Sequence, residues 1–329
     1  MKKRILLFAP KTFGFYLHII QALCRNGYEV DFFDEYYSTR FQLLNKFILK
    51  LPLKIKIFLQ KKYISSILKS EDSRRSKYDY VFVVRGEYFA PSVISILKEH
   101  APLPEYILYQ WDSAKNLRFF TEQIGYFDKV FTFDDLDAQY FNVRHKSLFF
   151  NSEHVANRSK KESKFSVSFV GTHHSNRFSF IRRFLDANPE LMANAVIRLF
   201  RPKTSFYRAL VFNKKELEGA CLSDLITHPV SERKTINILS NSENILDITQ
   251  PGQVGLTLRT FEALGLQKKL ITTNLNVKNY DFYNPNNVFL VDEMNLTVST
   301  DFLQGSYQPV SEDVLNKYYV DFWVQEFFL

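Results

Sequence analysis

The sequence predicts an α/β protein of two domains, and three observations support that prediction. Its 329 residues are about twice the ~150 residues of an average domain. Short apolar runs alternate with stretches of helical periodicity, which is typical of parallel βαβ units. The alternation breaks at residues 151–164, a polar and charged stretch without apolar periodicity. We therefore predict a linker there, between a domain over residues 1–155 and a second over residues 156–329.

Apolar periodicity and end signals give the elements of the first domain. The first strand leads to a turn at Gly14, and the helix that follows ends at Asn26-Gly27, a pattern typical of a helix C-cap. In order, the prediction places strands at 4–10, 28–33, 80–84, 105–110 and 129–133, with helices at 15–25 and 91–100 and another from about residue 135.

The second domain repeats the pattern. Its first predicted strand, at 165–170, ends in a turn at Gly171. The predicted elements after that turn are helices at 178–185, 234–239 and 259–264, with strands at 196–200, 244–249 and 269–273.

The composition excludes several classes of protein. Ten Gly and eleven Pro are too few for a disordered or fibrous chain. Cys24 and Cys221 are the only cysteines, which excludes a disulfide scaffold and a Cys-based zinc site and fits a reducing cytoplasm. The apolar run at 5–9 stops at Pro10, too early for a signal peptide or the ~20 residues of a membrane span. We therefore expect a cytoplasmic protein.

The positive charge is concentrated in one segment. The chain has 43 Lys and Arg against 35 Asp and Glu, and residues 40–77 contain eleven basic residues and two acidic ones, interleaved with Leu, Ile and Phe. Such an amphipathic segment can lie on an anionic membrane leaflet, gaining roughly 1 kcal/mol per basic residue. The alternative is a helix that packs its apolar stripe on the domain. We expect no nucleic-acid partner, because no RNP, zinc-finger or helix-turn-helix pattern accompanies the charge.

Three common α/β enzyme classes lack their motifs here. The turn after the first strand has a single glycine, Gly14, instead of the G-x-G-x-x-G of a dinucleotide site. The phosphate-binding G-x-x-x-x-G-K-[ST] and the serine-hydrolase G-x-S-x-G are absent as well.

Two metal-site patterns have simpler explanations. Asp135 and Asp137 form a D-x-D that could hold a cation, but acidic residues between a strand and a helix ordinarily cap free amides. His173 and His174 are adjacent, so both imidazoles cannot easily share one metal from a helix. We expect no metal at either place.

Two segments of the second domain predict a site for a nucleotide diphosphate. The first, F-V-G-T-H-H-S-N-R at 169–177, runs from a strand into a helix start, where exposed amides and basic groups favour an anion; a merely structural turn is the alternative. The second is I-L-D-I-T-Q-P-G-Q-V-G-L-T-L-R-T-F-E-A-L-G at 245–265, followed by K-K-L-I-T-T-N at 268–274. We place Glu262 in the first turn of the helix after the loop, where its carboxylate can accept hydrogen bonds from vicinal hydroxyls. The alternative is a surface glutamate that the helix dipole favours. The donor-binding candidates are Gly171, Thr172, His173, Gly252, Gln253, Gly255, Arg259 and Glu262.

The second segment resembles the donor site of GT-B glycosyltransferases. It is most similar to bacterial proteins of polysaccharide and lipopolysaccharide-core biosynthesis, as are Y-Q-W-D-S at 109–113 and F-D-K-V-F-T-F-D at 127–134. The resemblance covers roughly residues 4–291. It implies two Rossmann-like domains with parallel sheets facing across a cleft, with a nucleotide sugar held mainly by the second. It also implies that Glu262 binds the ribose hydroxyls and that the Gly171 loop approaches the diphosphate or the sugar. One departure is Val254, which stands where the E-x7-E motif of many retaining members has a glutamate.

The resemblance leads to a functional expectation. We expect a metal-independent glycosyltransferase without a cofactor, peripheral on the inner face of the plasma membrane, acting on a saccharide or lipid-linked saccharide. Arg259 is the first candidate to stabilise the departing diphosphate, with Lys268 or Lys278 as alternatives. Asp112 is either the general base or a turn residue, and Gly14 and Arg85 are placed on the acceptor side. The alternatives are a sugar-nucleotide epimerase on the same scaffold and a non-catalytic membrane-associated scaffold protein.

Overall fold

The computed structural model describes residues 2–11, 14–36, 48, 50–70, 78–158 and 163–329, and the chain divides into two compact units. The first unit comprises residues 1–147 together with 320–329, and the second comprises residues 148–319. The division therefore lies eight residues before the predicted boundary. The last ten residues, which the prediction gave to the second domain, belong to the first unit.

The first unit is built on a six-stranded parallel sheet with the order β2-β1-β3-β4-β5-β6. The strands β1, β3 and β4 lie in the middle of the sheet and are almost wholly buried, because helices cover both faces. The strands are β1 (Arg4–Ala9), β2 (Glu29–Asp34), β3 (Tyr80–Val84), β4 (Glu105–Gln110), β5 (Lys129–Thr132) and β6 (Arg144–His145). The helices are α1 (Phe15–Arg25), α2 (Leu53–Ser70), α3 (Pro91–His100), α4 (Phe120–Gln123) and α5 (Asp135–Phe141), with 3-10 turns at Ala114–Asn116 and Ile124–Tyr126.

The C-terminal segment, residues 320–329, completes the core of the first unit. It forms a short helix at Val320–Trp323 and a 3-10 helix at Val324–Phe328. Trp323 and Phe327 are fully buried, and the ring of Phe327 packs against those of Phe82, Tyr109 and Phe131. These aromatic side chains explain why the segment belongs to the first unit.

The second unit has a five-stranded parallel sheet with the order β11-β10-β9-β7-β8. Its strands are β7 (Phe165–Thr172), β8 (Val196–Phe200), β9 (Ser242–Asp247), β10 (Lys269–Thr272) and β11 (Val288–Leu290). Its helices are α6 (Ser152–Ala156), α7 (Arg177–Ala187), α8 (Pro189–Met192), α9 (Lys203–Phe212), α10 (Glu232–Ser240), α11 (Leu258–Leu266), α12 (Thr300–Gln304) and α13 (Glu312–Tyr318), with 3-10 turns at Lys214–Leu217, Leu222–Asp224 and Leu275–Asn279.

The predicted fold class is confirmed, since both units are Rossmann-like layers around a parallel sheet. In the second sheet the chain leaves β7 towards β8 on one side, and β9 lies on the other side of β7. The first sheet has the same arrangement, with β2 and β3 on either side of β1. Such topological switch points open a crevice at the carboxyl ends of the strands, where doubly wound proteins bind ligands. Each unit therefore has one favoured place for a site.

Two local predictions were wrong. The strand β7 continues through Thr172, so Gly171 is not in a turn; it pairs with Leu199 of β8. A Cβ atom at Gly171 would lie 2.8 Å from Cζ of Phe169, which explains the glycine by close packing. The predicted linker begins with an ordered helix, α6, because Asn151 and His154 form a capping box at its start. Residues 159–162 of that stretch lie outside the described part.

Candidate functional site

Most of the predicted donor residues of the second unit lie around its switch point, and His173 is the exception. The carboxyl ends of β7 and β9 lie side by side there, and α7 and α11 begin next to them. Thr257 caps α11, because its side chain accepts a hydrogen bond from the amide of Arg259. The cap fixes the first turn of α11 at the end of β9.

A buried ion-paired group joins α11 to α6. Arg259 is the second residue of α11 and Glu262 the fifth, and Nη1 of Arg259 pairs with Oε2 of Glu262. Nε2 of His154 lies 3.5 Å from Oε1 of the same carboxylate. Burial opposes ionisation of Glu262, but Arg259 and His154 outweigh it and hold its pKa below the usual range. Glu262 is therefore a buried, charged carboxylate.

The position of Glu262 in its helix differs from the prediction. The first turn of α11 contains no acidic residue, because the helix begins at Leu258 and Glu262 falls in the second turn. The helix dipole therefore does not explain this glutamate. Its charge is paired with that of Arg259, three residues earlier in sequence, and the imidazole of His154, 108 residues earlier, lies beside the same carboxylate.

Two guanidinium groups bind the main chain at the ends of the strands. Nη2 of Arg259 donates to the carbonyl of Val170 at 2.8 Å. Arg177, the first residue of α7, donates from Nε and Nη2 to the carbonyl of Ile248 at 3.1 and 2.8 Å, and from Nη1 to that of Thr172 at 3.1 Å. Burial lowers the pKa of Arg177, and Arg259 lowers it further, while Asp247 opposes both. The edge thus presents two fixed cations, one of which, Arg177, was not among the predicted site residues.

Asp247 connects the elements at this edge through hydrogen bonds to its carboxylate. Its Oδ2 accepts hydrogen bonds from the hydroxyls of Thr257 at 2.9 Å, Thr260 at 3.1 Å and Thr272 at 3.4 Å. Complete burial raises its pKa, although these hydroxyls and the nearby arginines act in the opposite direction. The carboxyl group ties β9, β10 and the start of α11 together.

The loop between β9 and α11 is held in a defined conformation. Gly252 adopts a left-handed φ of 73°, which favours glycine at that position. Nε2 of Gln253 donates to the carbonyl of Gly255 at 2.9 Å, and Nδ2 of Asn274 donates to that of Val254 at 3.1 Å. The three predicted loop residues therefore lie at the switch point.

The two adjacent histidines point to different surroundings. His173 is buried, with Nδ1 3.0 Å from Nη1 of Arg201 and Nε2 4.0 Å from a carboxylate oxygen of Glu218. His174 is at the edge of the sheet, with Nε2 3.4 Å from Nε2 of Gln250. Burial and the nearby Arg177 lower the pKa of His174 to about 4, so it is neutral at pH 7. The structure thus brings His174 to the edge, while the predicted His173 is turned towards Arg201.

One alternative for the phosphate-binding cation is wrong. Lys268 immediately precedes β10 and therefore lies at the amino end of that strand, away from the switch point. Its Nζ donates to Oγ of Ser163 at 3.1 Å, and burial lowers its pKa. Lys278 follows β10 and is exposed on the carboxyl side, so only this alternative has a suitable position.

The first unit has its own charged cluster at the carboxyl edge. Arg85 follows β3 with a left-handed φ of 69°, and its guanidinium lies 2.6 Å from Glu87 and 3.7 Å from Glu35. Burial raises the pKa of the fully enclosed Glu35 to about 8. Burial would lower the pKa of Arg85, but Tyr36, Glu35, Glu87 and Asp112 raise it above the usual value.

Of the three residues predicted for the acceptor side and the base, Asp112 and Arg85 lie near each other. Asp112 follows β4, accepts a hydrogen bond from Nδ2 of Asn116 at 3.2 Å, and is near enough to Arg85 to influence its pKa. Gly14 immediately precedes α1 as its N-cap residue with a left-handed φ of 78°, and residues 12 and 13 lie outside the described part.

The acidic pair of the D-x-D motif has protein partners. Asp134 caps α5, Oδ2 of Asp137 accepts from the amide of Ala114 at 2.6 Å, and Oδ1 of Asp135 lies 3.2 Å from His145. The described residues contain no group of three or more His, Cys, Asp or Glu side chains arranged to hold a metal ion.

Solved structures share this architecture along the whole chain. OtsA matches with 11% identity over 99% of this chain and 98% of its own, at a TM-score of 0.60. A glycosyltransferase from Rickettsia africae matches with 13% identity over 99% of this chain and 96% of its own, at a TM-score of 0.58. Anabaena HepE in complex with UDP-glucose matches with 9% identity over 98% of each chain, at a TM-score of 0.57. No protein-family model and no curated protein matches the sequence. At these identities the similarity establishes the fold, which is that of the GT-B glycosyltransferases.

Proposed function

We propose that the protein is a glycosyltransferase that moves a sugar from a nucleotide-sugar donor to a saccharide or lipid-linked saccharide of the cell surface. The observation that carries the proposal is the pair Arg177 and Arg259 at the switch point of the second sheet, together with the charged Glu262. Two guanidiniums suit a diphosphate, because each can donate two hydrogen bonds to phosphate oxygens. The fold shared with HepE, whose structure holds UDP-glucose, supports a UDP-sugar or a related donor.

In the proposed reaction the acceptor hydroxyl attacks the anomeric carbon of the donor sugar. The bond from that carbon to the diphosphate breaks, and the nucleoside diphosphate leaves with the bonding electrons. Arg259 and Arg177 stabilise the charge that develops on the leaving group. Asp112 is proposed to remove the proton of the acceptor hydroxyl, and Arg85 to bind acceptor hydroxyls.

The proposal is tested by offering the purified full chain a panel of nucleotide sugars and free nucleoside diphosphates. We expect one nucleotide class to raise the melting temperature, and the same sugar to be transferred to an extracted cell-surface glycolipid. Isomerisation or hydrolysis of the donor without any acceptor would indicate an epimerase or related enzyme instead. Absence of nucleotide binding would indicate a scaffold protein.

Removing the carboxylate of Glu262 is expected to weaken donor binding. Glu262→Ala should cost about 1–3 kcal/mol of binding free energy, the range for losing hydrogen bonds to a charged acceptor. Isothermal titration with the donor nucleotide measures this. Glu243→Ala, at the exposed amino end of β9, is the matched control and should bind normally. Unchanged affinity in folded Glu262→Ala would contradict the role of this residue in donor binding.

We propose that the transfer needs no metal ion, with fixed cations stabilising the leaving group. Transfer activity is expected to persist in excess chelator, since Arg177 and Arg259 supply the positive charge at the proposed diphosphate site. The measurement is the initial rate with and without EDTA. Complete loss of activity that manganese or magnesium restores would contradict this expectation and would direct attention to Asp135 and Asp137.

Helix α2 carries most of the described part of the basic segment, and Lys50 precedes it. Its second half packs on the first unit through Ile64, Ile67 and Leu68, which are buried. In its first half Ile55 and Phe58 are exposed, and the ammonium group of Lys62 lies 4.6 Å from the ring centroid of Phe58. Residues 40–47, 49 and 71–77 lie outside the described part. Among the described helices, none combines the length and the apolar character that crossing a bilayer requires.

We propose that the exposed half of α2 lies on the anionic inner leaflet, where a lipid-linked acceptor would be found. The chain should co-sediment with anionic liposomes, bind little to neutral ones, and be released by salt, because the Debye length falls from about 10 Å at 0.1 M to about 3 Å at 1 M. The variant with glutamine at Lys50, Lys54, Lys61 and Lys62 should bind less while keeping its donor affinity. Glutamine at Lys164, Arg182, Arg233 and Lys234 is the control of equal charge loss. Equal binding to neutral and anionic vesicles, or none to either, would contradict the proposal.

A further inference from the structure

Helix α9 of the second unit turns apolar side chains towards solvent. Phe206 and Ala209 are buried against the unit, so the opposite face of the helix points outward. That face and the end of the helix expose four large apolar residues, and Val211 and Phe212 are the most accessible, at 72% and 83%. The four are Tyr207, Leu210, Val211 and Phe212. Contiguous exposed side chains of this kind mark an interaction surface.

The same stretch is strongly basic. Residues 203–215 include four exposed basic residues and no acidic one. The next residue, Glu216, is engaged by Arg201, whose Nη2 lies 2.8 Å from its carboxylate, and by Nδ2 of Asn213 at 3.1 Å. The four cations are Lys203, Arg208, Lys214 and Lys215. We call the exposed residues of 203–215 the α9 surface.

We propose that the α9 surface docks on an anionic lipid bilayer. Apolar side chains flanked by Lys and Arg suit a membrane interface, because the rings and aliphatic groups enter the acyl boundary while the long basic side chains reach the headgroups. A second copy of this chain is a poor occupant, since a two-fold contact would bring the four cations of one surface against those of the other. Charge complementarity thus selects the lipid surface.

This surface is separate from the one proposed on α2. The α9 surface belongs to the second unit and α2 to the first. Lipid binding by the α9 surface does not depend on the transferase activity proposed above, and each surface has its own variants. The two proposals can therefore fail independently.

The experiment compares variants of the full chain on phosphatidylcholine vesicles with and without phosphatidylglycerol. The double variant Val211→Ser and Phe212→Ser removes the most exposed apolar contacts. The quadruple variant replaces Lys203, Arg208, Lys214 and Lys215 with Gln. Each should raise the lipid concentration for half-maximal binding to anionic vesicles by more than about tenfold. Circular dichroism and the melting temperature verify that the variants are folded.

The matched control replaces Leu103 and Met294 with Ser, because both are isolated exposed apolar residues, at 80% and 94% accessibility. This control should bind vesicles as the unmodified chain does. Wild-type binding by both α9 variants would overturn the proposal, even if the α2 variant loses binding. It would also be overturned if the double variant converted a dimer to a monomer in sedimentation without changing vesicle binding, because the occupant would then be a second copy.

Discussion

Replacing Arg259 with alanine is expected to lower kcat/KM for the nucleotide-sugar donor by about 10²–10³-fold, the loss typical of removing one fixed donor that stabilises a developing negative charge. Arg259 is held between the carbonyl of Val170 and the carboxylate of Glu262, so its position is set before any ligand binds. A prepositioned cation requires no reorganisation when the diphosphate departs. The loss should appear mainly in kcat if the charge is stabilised in the transition state.

The stability of this variant must be separated from its chemistry. Removing the guanidinium leaves Glu262 buried without its arginine partner, and an uncompensated buried charge is strongly destabilising. The double variant Arg259→Ala with Glu262→Gln removes both charges, and should recover much of the melting temperature without recovering turnover. If turnover returns with stability, Arg259 serves only to neutralise Glu262. Arg259→Lys keeps the charge but cannot bind Val170 and Glu262 in the same way, so we expect intermediate activity.

The central strands could be predicted because their residues carry a strong local signal. Strands buried on both faces appear as continuous apolar runs, as in Ile5–Ala9 of β1 and in the five residues of β3. Helix α1 was predicted with its observed ends because Gly14 and Asn26-Gly27 mark them. Both signals lie within a few residues of the element that they define.

The candidate site could be predicted only where it is contiguous in sequence. The loop with Gly252 and Gly255 and the helix with Arg259 and Glu262 are one segment, and the structure keeps them together. His154 could not be recognised as the partner of Glu262, because the contact is formed by tertiary packing of α6 on α11. The spacing of Asn151 and His154, which form a capping box, was a signal that an ordered helix begins there.

The surroundings of individual side chains could not be predicted either. His173 and His174 are equivalent in the sequence pattern, but their surroundings are set by tertiary packing beyond the end of β7. One of them therefore meets Arg201 and the other meets Gln250. Glu35 gave no sequence signal of burial, since its enclosure depends on Arg85 and the backbone near Glu87, about 50 residues later.

Replacing Trp323 with alanine is expected to destabilise the first unit by about 3–5 kcal/mol, the range for truncating a large aromatic residue in a core. Trp323 is fully buried, packs its ring on Tyr109 and Phe327 at centroid distances of 5.1 and 4.7 Å, and donates from its indole N–H to the carbonyl of Ser147 at 2.8 Å. The substitution leaves a cavity and removes one of the two hydrogen bonds to the carbonyl of Ser147, which keeps the bond from the hydroxyl of Tyr109 at 3.1 Å. The apolar residues Val320, Trp323, Val324 and Phe327 have helical spacing. That spacing does not say which unit the segment packs on, because contacts such as the one with Tyr109 are formed by tertiary packing.

The measurement is urea unfolding of the full chain, with hydrogen exchange of the β3 and β4 amides reporting on the first unit separately. Phe322→Ala is the matched control. Phe322 is the aromatic residue next to Trp323, but its side chain is 45% exposed, so its loss should cost much less. Donor-nucleotide affinity measured below the transition should be retained if the second unit holds the donor. Equal destabilisation by the two variants would contradict a core role for Trp323, and would mean that the C-terminal segment contributes to the first unit only through its surface contacts.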